Sequence, residues 1–334
     1  LDQFSHMFID PLFTASGIGR ELNAVDSEND KNIENDNWRQ EMVLREMGNP
    51  AHPNSKFSTG NAKTLGGIPR EEVIKWWQEN YTAVKAHLVL YSTLPIEELK
   101  SLTVNYFSSV PVHKISEENL PKHMVSKKQQ GHLTVIEPVK DLRQLSIMWE
   151  LPQEYASDIE NNSHALLAKV LQSRHPSSLY AELKKEELIE NISAFADPYS
   201  KKETLFYVTF NLTPQGVAQF ENVIDQFYQT LNMIQKKGIP SFIFDEMKTM
   251  ATFNYEYQSR CNPYAFAESL AAGSIYEPLS TYPQLSSIPT AFNIKENANF
   301  LRFLTPDLAC YTLVASKDLT HITSDKVEEW YGVK

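Results

Sequence analysis

Apolar side chains at the start of the chain recur every three to four positions, which is the spacing of one helix face. The residues concerned are Phe4, Met7, Phe8, Leu12 and Phe13. They predict a helix over 1–13 whose apolar face packs on another segment. Gly17 and Gly19 are expected to interrupt the pattern before a second, highly charged helix that continues to Met47.

Farther along the chain, the spacing of apolar residues is typical of helices in some segments and of strands in others. It predicts a long loop over 48–69, a helix over 71–81, a strand over 86–91 and a helix over 95–108. It then predicts strands over 132–136, 145–151, 192–196, 205–212 and 309–315, and helices over 162–171 and 177–188. Pro214 and Pro240 each open a further helix, because proline suits the first helical turn.

This order of helices and hairpins predicts an α+β fold with two similar domains. Each domain is expected to be a mostly antiparallel sheet with helices packed on one face. The polar residues 113–131 form the expected linker between a domain over 1–112 and a domain over 132–334.

Composition excludes several classes of protein. A chain of 334 residues with 42% hydrophobic residues can bury sizeable cores. The formal net charge of -11 argues against a nucleic-acid partner, which needs clustered lysines and arginines. No apolar run is long enough to span a membrane. Cys261 and Cys310 are too few for a disulfide framework, so they are expected to be ordinary core or surface thiols, and the compartment stays open.

Glu21 and Glu28 are the candidate chemical residues of the charged helix. They are seven residues apart, about two helical turns, so both carboxylates lie on one face and either could reach a metal ion. The same segment also carries Lys31 and Arg39 among many acidic residues, as a solvated helix surface does. The spacing alone favours the solvated surface.

Two longer strings of residues change that balance. The first is Arg20-Glu21-x-Asn23-Ala24-Val25-x-x-Glu28, and the second is Asn49-Pro50-x-His52-Pro53-x-Ser55-Lys56-Phe57-x-Thr59-Gly60-Asn61. Together with residues 137–143, 191–194 and 328–332, in the same order, they make the chain resemble the pitrilysin and insulin-degrading enzyme family of zinc metallopeptidases. The resemblance covers nearly the whole chain, from just before the third zinc ligand to the end of the second domain.

The resemblance implies that Glu28 is the third ligand of Zn²⁺ and that Glu21 supports the site without being a primary ligand. In the family, the other two ligands and the catalytic base lie in an upstream His-x-x-Glu-His motif. None of the nine histidines here has that setting. The first domain is therefore expected to be incomplete at its amino-terminal end, and the zinc position to be empty in this chain alone. His52 and Lys56 are expected to stabilise a loop rather than bind metal.

A second candidate site is the strand that contains Ile192, Ser193, Ala194 and Phe195. Members of the resembling family hold peptides partly by pairing them with a sheet edge, and the resemblance places this strand near that edge. The alternative is an ordinary edge or core strand.

The resemblance implies that the chain is part of a zinc metalloendopeptidase that degrades peptides and small proteins in an enclosed chamber. Its expected partners are peptide substrates and either the missing amino-terminal segment and carboxy-terminal half of the parent or a partner chain. Without the motif, the chain alone is predicted to be inactive. The alternative is a non-catalytic peptide-binding or scaffold subunit.

Overall fold

The computed structural model describes residues 1–114 and 121–334. Its α-helices are α1 (Asp2–Ile9), α2 (Ala15–Ile33), α3 (Asp36–Met47), α4 (Ala62–Leu65), α5 (Arg70–Asn80), α6 (Ile96–Phe107), α7 (Gln153–Ala156), α8 (Ser163–Leu171), α9 (Leu179–Lys185), α10 (Pro214–Ala218), α11 (Phe220–Lys237), α12 (Ser241–Glu256), α13 (Pro263–Gly273), α14 (Gln284–Ser287), α15 (Ile294–Phe303) and α16 (Lys317–Thr320). Its strands are β1 (Leu133–Ile136), β2 (Gln144–Leu151), β3 (Ile189–Pro198), β4 (Thr204–Leu212) and β5 (Cys310–Val314).

The five strands form one sheet in the order β1-β5-β2-β4-β3. Neighbouring strands are antiparallel except β1 and β5, which are parallel. The long central pair β2 and β4 runs from Gln144 opposite Asn211 to Leu151 opposite Thr204. The mixed helices and the mostly antiparallel sheet confirm the predicted α+β class. In this order β1 and β3 are the two edge strands.

The main core lies between the sheet and the helices that cover it. Trp149 on β2, Phe206 on β4 and Phe227 on α11 are all fully buried in it. Burying rings of this size supplies a large share of the stability of a domain, because each removes about 150–250 Å² of surface from water. The indole N–H of Trp149 is not left unpaired, since it donates to the main-chain oxygen of Thr305 at 3.0 Å.

The chain divides into two compact units, each built from three separate segments. The first comprises Leu1–Lys31, the described part of Ser58–Asn119, and Ser259–Pro283. The second comprises Asn32–Phe57, the described part of Leu120–Gln258, and Gln284–Lys334, and it contains the sheet. The domain bounds 1–112 and 132–334 follow chain order and stay a prediction. The predicted linker over 113–131 includes residues 115–120, which lie outside the described residues.

Four local predictions were wrong. The expected strand over 86–91 has no regular secondary structure, because none of the described strands pairs with it to form a ladder. The first helix ends at Ile9, just before Pro11, and both glycines lie inside α2 instead of breaking the pattern. The single charged helix is two helices: Asn35 caps α3 by accepting the N–H of Asn37 at 3.0 Å.

The imidazole of His164, near the start of α8, makes the stability of the fold depend on pH. Burial lowers its pKa from the ordinary 6.5, and the nearby Asp158 carboxylate opposes that shift only in part. The unfolded chain therefore binds a proton at this ring more readily than the folded chain does. The contribution of the neutral ring to the free energy of unfolding is fully present above pH 6.5 and is lost as the pH drops below it. We expect His164→Gln to flatten the loss of Tm between about pH 7 and about pH 5.5. An equally steep loss in the variant would assign the effect to another group.

Candidate peptide-binding edge and acidic helix

The acidic helix α2 presents Glu21 and Glu28 as exposed side chains. The helix is tied to the following segment by Asp26, whose carboxylate accepts the N–H of Ala62 at 2.7 Å. In the described ranges, no three His, Cys, Asp or Glu side chains come together in a way that could hold a metal ion. The ligand role of Glu28 therefore stays a prediction.

His52 has a structural role in the second unit. Its ring is buried, and its Nδ1 accepts the N–H of Asn54 at 3.2 Å. Nδ1 is therefore unprotonated, and the proton on Nε2 is donated to the Glu203 carboxylate at 2.8 Å. Lys56 donates to the main-chain oxygen of Pro50 at 3.4 Å. His52 and Lys56 thus stabilise the loop that contains them, as expected.

The string at the end of the chain is also structural. The buried carboxylate of Glu328 accepts the N–H groups of Trp330 and Tyr331 at 2.8 and 2.7 Å. The turn presents the Trp330 ring, which stacks on Phe57 with centroids 4.4 Å apart. An aromatic pair of this kind joins the terminal turn to the loop that carries His52.

The strand β3 has its outer edge open in the described structure, because it pairs with β4 alone. The N–H of Tyr199 donates to the main-chain oxygen of Glu203 at 2.9 Å, and Tyr199 follows directly after β3. Because antiparallel ladders alternate, the main-chain groups of Ser193 and Phe195 also face β4. Those of Ile192, Ala194 and Ala196 face outward. A peptide added to the sheet would pair with these three residues.

The side chains of β3 divide between the two faces of the sheet. Ile192 and Ala194 are 1% and 6% exposed and belong to the main core. Phe195 is 49% exposed on the other face and stacks on Tyr207 with centroids 5.2 Å apart. The edge strand is therefore packed on both faces, and the structure places all four predicted residues on it.

Gln172 is a residue at this edge that the sequence patterns did not single out. It directly follows α8, and its side-chain Nε2 donates to the main-chain oxygens of Ala168 at 3.2 Å and Ala194 at 3.1 Å. No periodicity signals the second contact, because it joins a helix end to a strand 22 residues away. The contact agrees with the outward direction of the Ala194 carbonyl.

A cavity of about 980 Å³ lies at the opposite edge of the sheet, beside β1. Leu133, Val135 and Lys334 are among the residues that line it. None of the predicted site residues does. The two cysteines are unpaired thiols, as expected, with Cys261 exposed and Cys310 buried. Burial raises the pKa of the Cys310 thiol to about 12, so it is not a nucleophile at neutral pH.

Comparison with known proteins identifies the fold. Residues 67–251, more than half of the chain, match the family model described as the peptidase M16 inactive domain. The chain belongs to the peptidase M16 family. Over 341 residues, this M16 chain is 28% identical to insulin-degrading enzyme of Bos taurus, a match that covers 100% of the chain and 33% of that protein.

Two further matches agree. The A-factor-processing enzyme of Saccharomyces cerevisiae is 28% identical over 344 residues, which cover 99% of the M16 chain and 33% of the yeast protein. The crystal structure of pitrilysin superposes with a TM-score of 0.91 at 25% identity and covers 99% of the chain and 35% of pitrilysin. The chain thus spans about a third of the length of these relatives. None of the helices in the described ranges has the length and apolar character that a membrane crossing needs.

Proposed function

We propose that this chain is the part of a zinc metalloendopeptidase that holds extended peptides, and that it binds them by strand addition at the outer edge of β3. The observation that carries the proposal is the open edge of β3, where the main-chain groups of Ile192, Ala194 and Ala196 face away from β4. Pairing through main-chain groups requires little of the peptide side chains, which suits a protein that handles many peptides.

Catalysis would belong to the longer protein. Glu28 would contribute one zinc ligand there, and Glu21 would support it, with the remaining ligands and the base supplied from outside this chain. The described residues form no metal site of their own. Taken alone, the chain should therefore bind peptides without cleaving them, and the enclosed chamber of the resembling family is proposed only for the longer protein.

A second candidate function is a non-catalytic peptide-binding or scaffold subunit. The matched family model favours it, because that model describes the inactive domain. Both candidates use the same edge of β3. They differ in whether peptide cleavage depends on Glu28 once the rest of a longer protein is present.

The binding test uses a fluorescein-labelled segment of the insulin B chain with the purified 334-residue chain. We expect binding by fluorescence anisotropy, with the N–H groups of Ile192, Ala194 and Ala196 gaining protection from hydrogen exchange. The N–H groups of Ser193 and Phe195 already face β4 and should not change. Binding without protection of the three outward groups would contradict strand addition.

Two modified peptides provide the matched control. A strand has two pairing edges, so N-methylation of alternate residues blocks one edge and leaves the other able to pair. N-methylation of every residue blocks both. The first peptide should bind like the unmodified one, whereas the second should lose binding. Equal binding of both would show that side chains, not the main chain, hold the peptide.

The same preparations test catalysis. We expect no turnover of a quenched peptide and no stoichiometric zinc by elemental analysis, with Glu28→Gln indistinguishable from the parent chain. Turnover that a chelator and Glu28→Gln both abolish would overturn the assignment of catalysis to the longer protein.

A further inference from the structure

We propose that Gln172 is a built-in competitor for the peptide-binding edge: its side-chain amide occupies the outward carbonyl of Ala194 and has to leave before a peptide strand can pair there. The inference rests on the proposed function and concerns how that site is regulated. It is carried by two hydrogen bonds that share one nitrogen atom, Nε2 of Gln172.

The position of Gln172 is that of an added strand. Ala194 is the middle of the three residues whose main-chain groups face away from β4. An antiparallel peptide would donate an N–H to the Ala194 carbonyl, and the Gln172 amide already donates to that oxygen at 3.1 Å. The side chain therefore replaces the central rung of the ladder that a peptide would form.

The carboxy-terminal end of α8 orients the Gln172 side chain. The second N–H of the Gln172 amide donates at 3.2 Å to the main-chain oxygen of Ala168, which also accepts the main-chain N–H of Gln172 at 3.0 Å. The amide is thus oriented by the helix and presented to β3 in a fixed position. Gln172 is nevertheless an exposed residue, so its side chain can swing into water when a peptide arrives.

Competition by Gln172 should make peptide binding at the edge of β3 depend on the length and the extended conformation of the peptide. A peptide that reaches only Ala194 exchanges one neutral hydrogen bond for another and gains little. A peptide that also pairs with Ile192 and Ala196 adds rungs that Gln172 does not oppose. The edge should therefore favour extended segments that pair on both sides of Ala194 over short peptides.

The test measures Kd for the insulin B-chain segment with one N-methylated edge, using Gln172→Leu and the shorter Gln172→Asn. Both variants release the Ala194 carbonyl, and we expect both to bind about three- to tenfold more tightly, the range of one net hydrogen bond. The matched control is Gln215→Leu, since Gln215 caps the main-chain oxygen of Glu186 at 3.2 Å on another turn. Its Kd should equal that of the parent chain.

Two results would overturn the inference, and they are distinguishable. If the peptide protects Ile192 and Ala196 in every variant but Kd is the same, Gln172 merely caps α8 and the proposed function stands. If the peptide protects no N–H of β3 in any variant, the proposed function fails and the inference fails with it. A Tm measured for each variant separates a loss of α8 from an effect on binding.

Discussion

Replacing Trp149 by alanine is expected to lower the free energy of unfolding of the second unit by about 4 kcal/mol, within the range measured for large aromatic residues in cores. The indole is completely buried in the middle of the sheet. It lies 6.0 Å from the ring of Phe227 and 6.3 Å from that of Phe206. Its removal leaves a cavity that the rigid sheet cannot close, and the Thr305 carbonyl loses its donor.

The measurement is urea unfolding followed by circular dichroism, and the matched control is Phe242→Ala. The ring of Phe242 is also large and apolar and belongs to the same unit, but it is 65% exposed. We expect the control to lose less than about 1 kcal/mol. Similar losses in the two variants would mean that the buried ring network does not dominate the stability of this unit.

Replacing Asp36 by alanine should cost about 3 kcal/mol, because it removes a buried carboxylate that two main-chain N–H groups and the Arg39 guanidinium share. The carboxylate is buried and accepts the N–H groups of Val139 and Lys140 at 2.7 and 3.0 Å. It also lies 3.8 Å from Nε of Arg39, a buried atom with no hydrogen-bond partner of its own. The Asp36 carboxylate thus joins α3 to the segment between β1 and β2 by hydrogen bonds, beside the apolar contacts of Met42 and Leu142 in the same cluster.

The control for Asp36→Ala is Asp141→Ala in the neighbouring turn. The Asp141 carboxylate is 78% exposed and its partner is Arg143, with Nε at 3.4 Å. An exposed pair of this kind contributes about 0–1 kcal/mol. Asp36→Asn keeps one acceptor oxygen and should fall between the two. Equal urea midpoints for Asp36→Ala and Asp141→Ala would show that Val139 and Lys140 find other acceptors.

The residues on which the family resemblance rests have different roles in the structure. Glu328 and His52 are buried in the second unit. Glu328 accepts two main-chain N–H groups, and His52 hydrogen-bonds to the carboxylate of Glu203. Glu21 and Glu28 remain exposed on α2 and make no comparable contact within the part of the chain that the structure describes. This contrast is the reason why the acidic pair keeps its proposed role in the longer protein.

The family and most of the regular elements were predictable from the sequence alone. Strands over 145–151 and 205–212 were predictable because their apolar runs have strand length and are bounded by turn residues. The structure has them as β2 and β4, with nearly the predicted bounds. Helices near Pro95 and Pro240 were predictable because proline constrains the first turn. These signals are local, so a single sequence contains them.

Which segments pair and which remain open could be seen only in the folded chain. The apolar run over 86–91 has strand composition but no ladder partner among the described strands, whereas the similar run in β3 lies beside β4 and becomes an edge. The contacts of Asp36 with Val139 and of Gln172 with Ala194 join positions that no periodicity connects. Hydrogen bonds between distant segments depend on how the chain returns on itself, and local preference for helix or strand does not encode that path.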